Sequence, residues 1–164
     1  MLTRSFRCAV SAALAIVALA AAAGSASAAA PSAALPEITP ANAALLLPPG
    51  YVKKGDDYVY EGGKVIVTPA YSTTSLGCSA PWLCLYRDSS WEGTRWIFQD
   101  HFWQNLRDYG ASDQVSSWSN HESRNATLGW DSIEQGKAPY LTLGAGAHAS
   151  GMGSWNDNAS SVLP

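Results

Sequence analysis

The side chains that most often carry chemistry are few in this 164-residue chain, and they are scattered. His101, His121 and His148 form no pair at metal-ligand spacing. No Gly-x-Ser-x-Gly elbow is present to raise a nucleophilic serine. Asp88 with Glu92, and Glu122 with Asp131, sit among turn residues, and all four are read as exposed turn acids rather than as a glycosidase pair. Gly144-Ala-Gly146 and Gly151-Met-Gly153 lack the strand-to-helix setting of a nucleotide site. No catalytic residue is therefore expected, and the chain reads as a non-enzymatic protein.

Cysteine usage is more informative. Arg4 and Arg7 precede an apolar run from Ala9 to Ala23, which is too short to span a bilayer, and Ala26-Ser27-Ala28 is a small-x-small cleavage site. Residues 1–28 are read as a secretory signal peptide that carries Cys8 away. No other stretch is long enough to cross a membrane, so no membrane association is expected after cleavage, and the protein is expected outside the cell. Cys78 and Cys84 remain, and an even count in an exported protein reads as a disulfide. The bridge closes a loop of Ser79, Ala80, Pro81, Trp82 and Leu83, worth about 2.4 kcal/mol by loop entropy. The alternative, a metal site, is poorly served by two thiols without a nearby histidine.

Charge excludes another class. The whole chain has 10 Lys+Arg and 13 Asp+Glu, a net charge of −3, and losing Arg4 and Arg7 makes it −5. No basic excess is available to neutralise phosphates, so no nucleic-acid partner is expected. The 47% hydrophobic fraction is also uneven, because its excess lies in the first fifty residues, whereas all seven tryptophans lie between Trp82 and Trp155.

The elements that must position these residues are short strands. Residues 29–50 are rich in Ala and Pro and are read as a linker or pro-segment, with a short helix within Ala41–Leu47 stopped by Pro48. Residues 51–77 carry two β-rich triplets, Tyr58–Tyr60 and Val65–Val67, around a Gly-Gly turn, which predicts a β-hairpin. A lone hairpin is marginal in water, so it should pack on the domain that follows. From residue 78 onward, alternation with dense turn residues and little helical periodicity predicts an all-β sandwich.

An internal repeat sharpens that fold. Tyr86 opens an aromatic-rich turn through Trp91 to Gly93, and Ser116-Ser117 closes the unit. Trp130 opens a shorter turn to Gly136, and Ser160-Ser161 closes the second. Both landmarks recur at an offset of 44 residues, which suggests two Greek keys. Each serine pair can hydrogen-bond to the backbone of its folded hairpin. Trp91, Trp118 and Trp130 hold repeat positions and are expected in the core. Trp82, Trp96, Trp103 and Trp155 are read as half-buried packing, with a sugar- or protein-binding face as the alternative.

Taken together, Cys78, Cys84-Leu85-Tyr86, the Trp91/Gly93 turn and the two closing serine motifs resemble the β/γ-crystallins over residues 78–164. More narrowly they resemble secreted bacterial crystallin-like proteins of a metalloproteinase-inhibitor family. The closing pattern is Asn/Asp-Asn/Asp-x-x-Ser/Thr-Ser. Asn156–Ser161 fits it at every fixed position, and Ser112–Ser117 at all but the first. The resemblance implies calcium as a cofactor, held by the side chains of Asp113, Ser116, Asp157 and Ser160 and the carbonyls of Gln114 and Asn158. The departure at Ser112 is expected to weaken the first site. It also implies a monomer that inhibits an extracellular protease, with Ser79–Leu83 as the candidate inhibitory loop. The second disulfide loop of that family has no counterpart, because no cysteine follows Cys84. The alternatives are a calcium-binding structural module without a protease target, and an aromatic-rich carbohydrate-binding or toxin-like module.

Overall fold

The computed structural model describes residues 35–72 and 76–164; the expected signal peptide lies outside the described residues. The short helix α1 (Ala43–Leu46) comes first. It ends at Leu47, which is extended (ψ 135°) because Pro48 disfavours helical geometry in the residue before it. Three strands follow, β1 (Tyr51–Lys54), β2 (Asp57–Tyr60) and β3 (Val65–Tyr71). The first repeat unit supplies β4 (Leu83–Tyr86), β5 (Gly93–Phe98), β6 (Gln104–Asn105) and β7 (Ser117–Asn120). The second supplies β8 (Ala126–Gly129), β9 (Tyr140–Leu143), β10 (His148–Ala149) and β11 (Ser161–Leu163).

The strands form two antiparallel sheets, a seven-stranded one in the order β1-β2-β3-β5-β4-β7-β10 and a four-stranded one in the order β6-β11-β8-β9. Each unit keeps three strands in its own sheet and sends its third to the other. Thus β6 pairs with β11 (Ser161 opposite Asn105), and β10 pairs with β7 (His148 opposite Ser119). The expected all-β sandwich of two Greek keys is present, with the keys interlocked by that exchange.

The β2–β3 hairpin pairs as the triplets predict, Tyr58 opposite Val67 and Tyr60 opposite Val65. Its turn uses Gly62 and Gly63 at φ 72° and 115°, angles that a side chain would strain. It is anchored through β3, which pairs with β5 over Val65–Phe98, Ile66–Ile97 and Val67–Trp96. The extension is larger than a hairpin, since β1 adds an edge strand on β2. Exposed Lys53 and Lys54 lie on that edge, where charge discourages pairing with another chain. Register places side chains in rows, and one row, Tyr58–Val67–Trp96–Leu85–Trp118, crosses five strands as part of the core.

Two expectations are corrected. The segment read as a linker is not free from Ile38 onward: Ile38, Ala43 and Leu47 are buried core residues. Composition misleads here, because burial is decided by what the segment packs on. The Ile38 carbonyl accepts from Thr94 Oγ1 at 3.2 Å, and the Pro48 carbonyl accepts from the Tyr60 hydroxyl at 2.8 Å. Trp96 is the second correction. It is the largest fully buried side chain, with Nε1 donating to the Tyr109 carbonyl at 2.9 Å, and it is unavailable as a binding face. The repeat tryptophans divide, Trp118 being buried while Trp91 and Trp130 are half-buried.

Ile38→Ala and Leu47→Ala are each expected to lower unfolding free energy by about 2–4 kcal/mol in urea denaturation, the range for large-to-small core changes. A loss under about 0.5 kcal/mol, typical of a surface site, would show the segment to be a linker after all.

Candidate functional site

Each key folds its first hairpin over by a tight aromatic turn, Ser89–Trp91 in the first and Ile133–Gln135 in the second. Ser90 and Trp91 adopt φ 61° and 64°, and Gly93 adopts 79°. A Cβ on Gly93 would lie 2.5 Å from Asp88 Oδ2, so only glycine lets the turn close. The second serine of each pair locks this turn. Ser117 Oγ donates to the Asp88 carbonyl at 2.6 Å and accepts from the Trp91 amide at 3.1 Å. Ser161 Oγ donates to the Asp131 carbonyl at 2.7 Å. Trp91 closes the first turn with Nε1 donating to the Trp118 carbonyl, and its ring meets His148 edge-on.

The first serine of each pair does something else. Ser116 Oγ donates to Asp157 Oδ1 at 3.1 Å, and Ser160 Oγ donates to Asp113 Oδ1 at 3.1 Å. The backbone repeats the crossing, the Asp113 amide donating to the Ala159 carbonyl and the Asp157 amide to the Val115 carbonyl. Asp113 and Asp157 both sit in the left-handed region, at φ 56° and 54°. The two turns are thus related by the internal repeat and complete each other. Sequence spacing groups Asp113 with Ser116 and Asp157 with Ser160; the fold brings together Asp113 with Ser160 and Asp157 with Ser116. The strand exchange is the reason, since it sets the entry to β11 beside the entry to β7. Ser112 stands where the repeat has an acid or amide, and its hydroxyl joins the Asp113–Ser160 side, donating to Ser160 Oγ at 3.2 Å.

Both aspartates are exposed, whereas Ser116 is buried. Among the described residues neither the Gln114 nor the Asn158 carbonyl accepts a hydrogen bond. Each side therefore offers a carboxylate, a hydroxyl and a nearby free carbonyl, all oxygen donors. That is a hard set, suited to calcium and unsuited to zinc. Among the described residues no group of three or more His, Cys, Asp and Glu is placed to hold a metal.

Cys78 and Cys84 are bridged, with Cα atoms 5.9 Å apart. Ser79, Ala80 and Pro81 are exposed and Trp82 is half-buried, but Leu83 is the fully buried start of β4 and belongs to no displayed loop. The Trp82 amide donates to the Ser79 carbonyl at 3.1 Å, and the Trp82 carbonyl accepts from the His121 amide at 3.0 Å. The loop is a closed turn tied to the end of β7. It lies beside a packed outer layer in which the Arg95 guanidinium stacks 3.9 Å from the Tyr71 ring centroid and donates to the Gly77 carbonyl.

The topology is decisive at this point. The fold is that of a β/γ-crystallin domain. Both keys have the third-strand exchange and the serine-locked aromatic turn, and the three-stranded extension is an addition to the edge of the first. No family model matches the chain, and no curated protein matches it. Solved structures of the same kind do align. One, on the evolution of the eye lens β/γ-crystallin domain fold, is 19% identical with a TM-score of 0.48, covering 59% of this chain and 94% of that one. A β/γ-crystallin from Ciona intestinalis is 24% identical with a TM-score of 0.43, covering 50% and 96%. Spherulin 3A from Physarum polycephalum is 18% identical with a TM-score of 0.42, covering 58% and 93%.

One residue departs from the sequence reading in the opposite direction to Trp96. Glu122, read as an exposed turn acid, has a side chain only 2% exposed, and neither carboxylate oxygen has a hydrogen-bond partner among the described residues. His101 Nδ1 stands 3.7 Å away. Burial pushes the carboxyl above its ordinary range, and the charges of His101 and Arg124 offset this in part. A carboxyl raised on folding binds a proton that the unfolded chain has released. Its contribution is therefore lost as pH rises from the ordinary carboxylate value through the raised one.

Glu122→Gln is thus expected to melt higher than the parent near neutral pH, with the difference closing at about pH 4, below the ordinary carboxylate value. A difference independent of pH would contradict this. In calcium-free buffer, Ser117→Ala is expected to cost about 1–3 kcal/mol, because it strands the Trp91 amide and the Asp88 carbonyl. Ser116→Ala should cost less in the same denaturation experiment, because exposed Asp157 can turn to water.

Proposed function

We propose that the folded chain is a non-enzymatic, calcium-stabilised binding module that works outside the cell. The observation that carries this reading is the reciprocal crossing of Asp113 with Ser160 and Asp157 with Ser116. Asp113 and Ser160, with the Gln114 carbonyl nearby, would hold one ion; Asp157 and Ser116, with the Asn158 carbonyl nearby, would hold the other. Bound calcium supplies charge neutralisation and a cross-link between two turns that belong to different keys. The chain's own residues do the rest. The left-handed aspartates aim their carboxylates at the opposite turn, and the serine hydroxyls fix them there. One carboxylate per site is few, so affinity belongs to the weak, extracellular class, with dissociation constants of about 10⁻⁴–10⁻³ M. Export is consistent with such a site, as is the Cys78–Cys84 bridge.

The protease-inhibitor activity implied by the resemblance has less behind it. A substrate-like inhibitor offers a protease an extended, rigid backbone with free amides and carbonyls. In the Ser79–Trp82 turn the Trp82 amide, the Ser79 carbonyl and the Trp82 carbonyl are all spent within the protein. The bridge then reads as a staple on the first strand of a small domain.

Calcium at tenfold its dissociation constant is expected to stabilise the protein by about 1.4 kcal/mol per site, about 2.8 kcal/mol for the two, a rise of roughly 6–12 °C in melting temperature. The Asp113→Asn/Asp157→Asn variant should keep its fold, since asparagine tolerates the left-handed region, but lose that rise. Identical melts of the parent in excess calcium and in chelator would remove the reading.

A further inference from the structure

The two keys are equivalent by repeat, yet their second strands end up in different surroundings. In the first key that strand is β5, which pairs with β4 on one side and with β3 of the extension on the other. In the second it is β9, which pairs with β8 and with no further strand among the described residues. The extension thus covers one of two equivalent edges and leaves the other bare. The remaining sheet edges are blunted: β1 carries Lys53 and Lys54, and β6 and β10 have two residues each. β9 has four residues, Tyr140 to Leu143, and no charged side chain occurs from Ala138 to Ala147.

Register fixes which backbone groups this bare edge presents. The Trp130 amide donates to the Pro139 carbonyl at 2.9 Å, and the next pair along the ladder is Gly129 with Tyr140. Antiparallel ladders alternate between hydrogen-bonded and non-hydrogen-bonded pairs. Pro139, Leu141 and Leu143 therefore turn their backbone groups toward β8, whereas Tyr140 and Thr142 turn theirs outward. Among the described residues no turn or loop bond reaches the amides and carbonyls of Tyr140 and Thr142. The edge stops there, because the Gly144 carbonyl is spent on the Ala147 amide at 3.0 Å. Tyr140 and Thr142 are both exposed. The Tyr140 ring packs toward Trp103, the residue before β6 at the opposite edge of the sheet, with 6.0 Å between ring centroids.

Two amides and two carbonyls at this spacing complement themselves. About a two-fold axis at Leu141, Tyr140 of one copy lies opposite Thr142 of the other, and each such pair exchanges two hydrogen bonds. Every outward group is then satisfied, and Leu141 faces its own counterpart. We propose that β9 is the contact through which two copies of this chain associate, antiparallel and in that register, so that their four-stranded sheets become one. The equivalent edge of the first key takes an antiparallel strand in the same way, from β3. Pairing of β9 with β1 of another copy would be head-to-tail and would not close, and it would meet Lys53 and Lys54. The contact is small beside the roughly 1,200 Å² at which stable interfaces begin, so the dimer is weak and the monomer is its dilute form.

The experiment combines analytical ultracentrifugation with amide hydrogen exchange read by NMR, at about 10 µM and about 1 mM protein, concentrations that bracket a weak association. A monomer is expected at the lower concentration, and a dimer with nothing larger at the higher. Across that range the Tyr140 and Thr142 amides should gain protection, whereas Leu141 and Leu143, bonded to β8, should be protected throughout. Thr142→Pro removes an amide that β8 does not use, which an edge strand tolerates. It should raise the dissociation constant of the dimer by about tenfold or more, since the symmetry removes two bonds. A melt of the dilute variant checks its fold; if that melt falls well below the parent's, the exchange pattern of the parent decides alone. The proposal is overturned if the protein stays monomeric at about 1 mM, or if it associates without new protection at Tyr140 and Thr142. It is equally overturned if folded Thr142→Pro dimerises as tightly as the parent, or if open-ended polymers form.

Discussion

The crossed aspartate–serine junction of this molecule depends on the exchange of two very short strands. β6 has two residues and β10 has two, and each pairs in the sheet of the other key. Neither key can therefore close its sheet alone. The exchange brings the chain entering β7 against the chain entering β11, and from that contact follow the crossed aspartate–serine pairs and the reciprocal amide–carbonyl bonds. The oxygen cluster proposed to hold calcium is a by-product of how two repeats interlock, and an ion there would strengthen the same junction.

Two adjacent serines in each repeat divide the work between folding and binding. Ser117 and Ser161 are fully buried and face inward, where each closes an aromatic turn. Ser116 and Ser160 face the opposite repeat. Strand alternation dictates the split, since neighbouring side chains at the start of a strand point to opposite sides. A structural role for one serine thus says nothing against a binding role for its neighbour. The extension adds a third layer of dependence: it lengthens the larger sheet by three strands, carries the inner face onward with Tyr58, Tyr60, Val65 and Val67, and calls on Ile38, Ala43 and Leu47 to join the core.

Local patterns were legible in the sequence where local chemistry governs. The Gly62-Gly63 hairpin and the Cys78–Cys84 pair rest on residues close together in the chain, and the serine locks, though they span about 30 residues, were marked by the 44-residue repeat of their landmarks. The crossing of the turns was not legible, because Asp113 and Ser160 meet only through a topology that spacing does not encode. Ile38 to Leu47 carry the composition of a linker, and only their packing partners make them core. Trp96 could have been found, since Thr94, Trp96 and Phe98 alternate with Arg95 and Ile97 in a buried strand pattern. Glu122 could not, because charged residues are so rarely buried without a partner that exposure is the rational expectation.

The central claim is that each proposed calcium site is assembled from both keys. The measurement that tests it most directly is a calcium titration of the ¹⁵N-labelled protein and of its Asp113→Asn variant, reading backbone amides by NMR. If the sites are crossed, the variant loses the calcium-dependent shift at Ser160, 47 residues away in sequence, and retains the shifts at Ser116 and Asp157. Loss of the shift at Ser116 with Ser160 unaffected would mean that each turn binds by itself, and an absence of shifts in the parent would mean that neither binds.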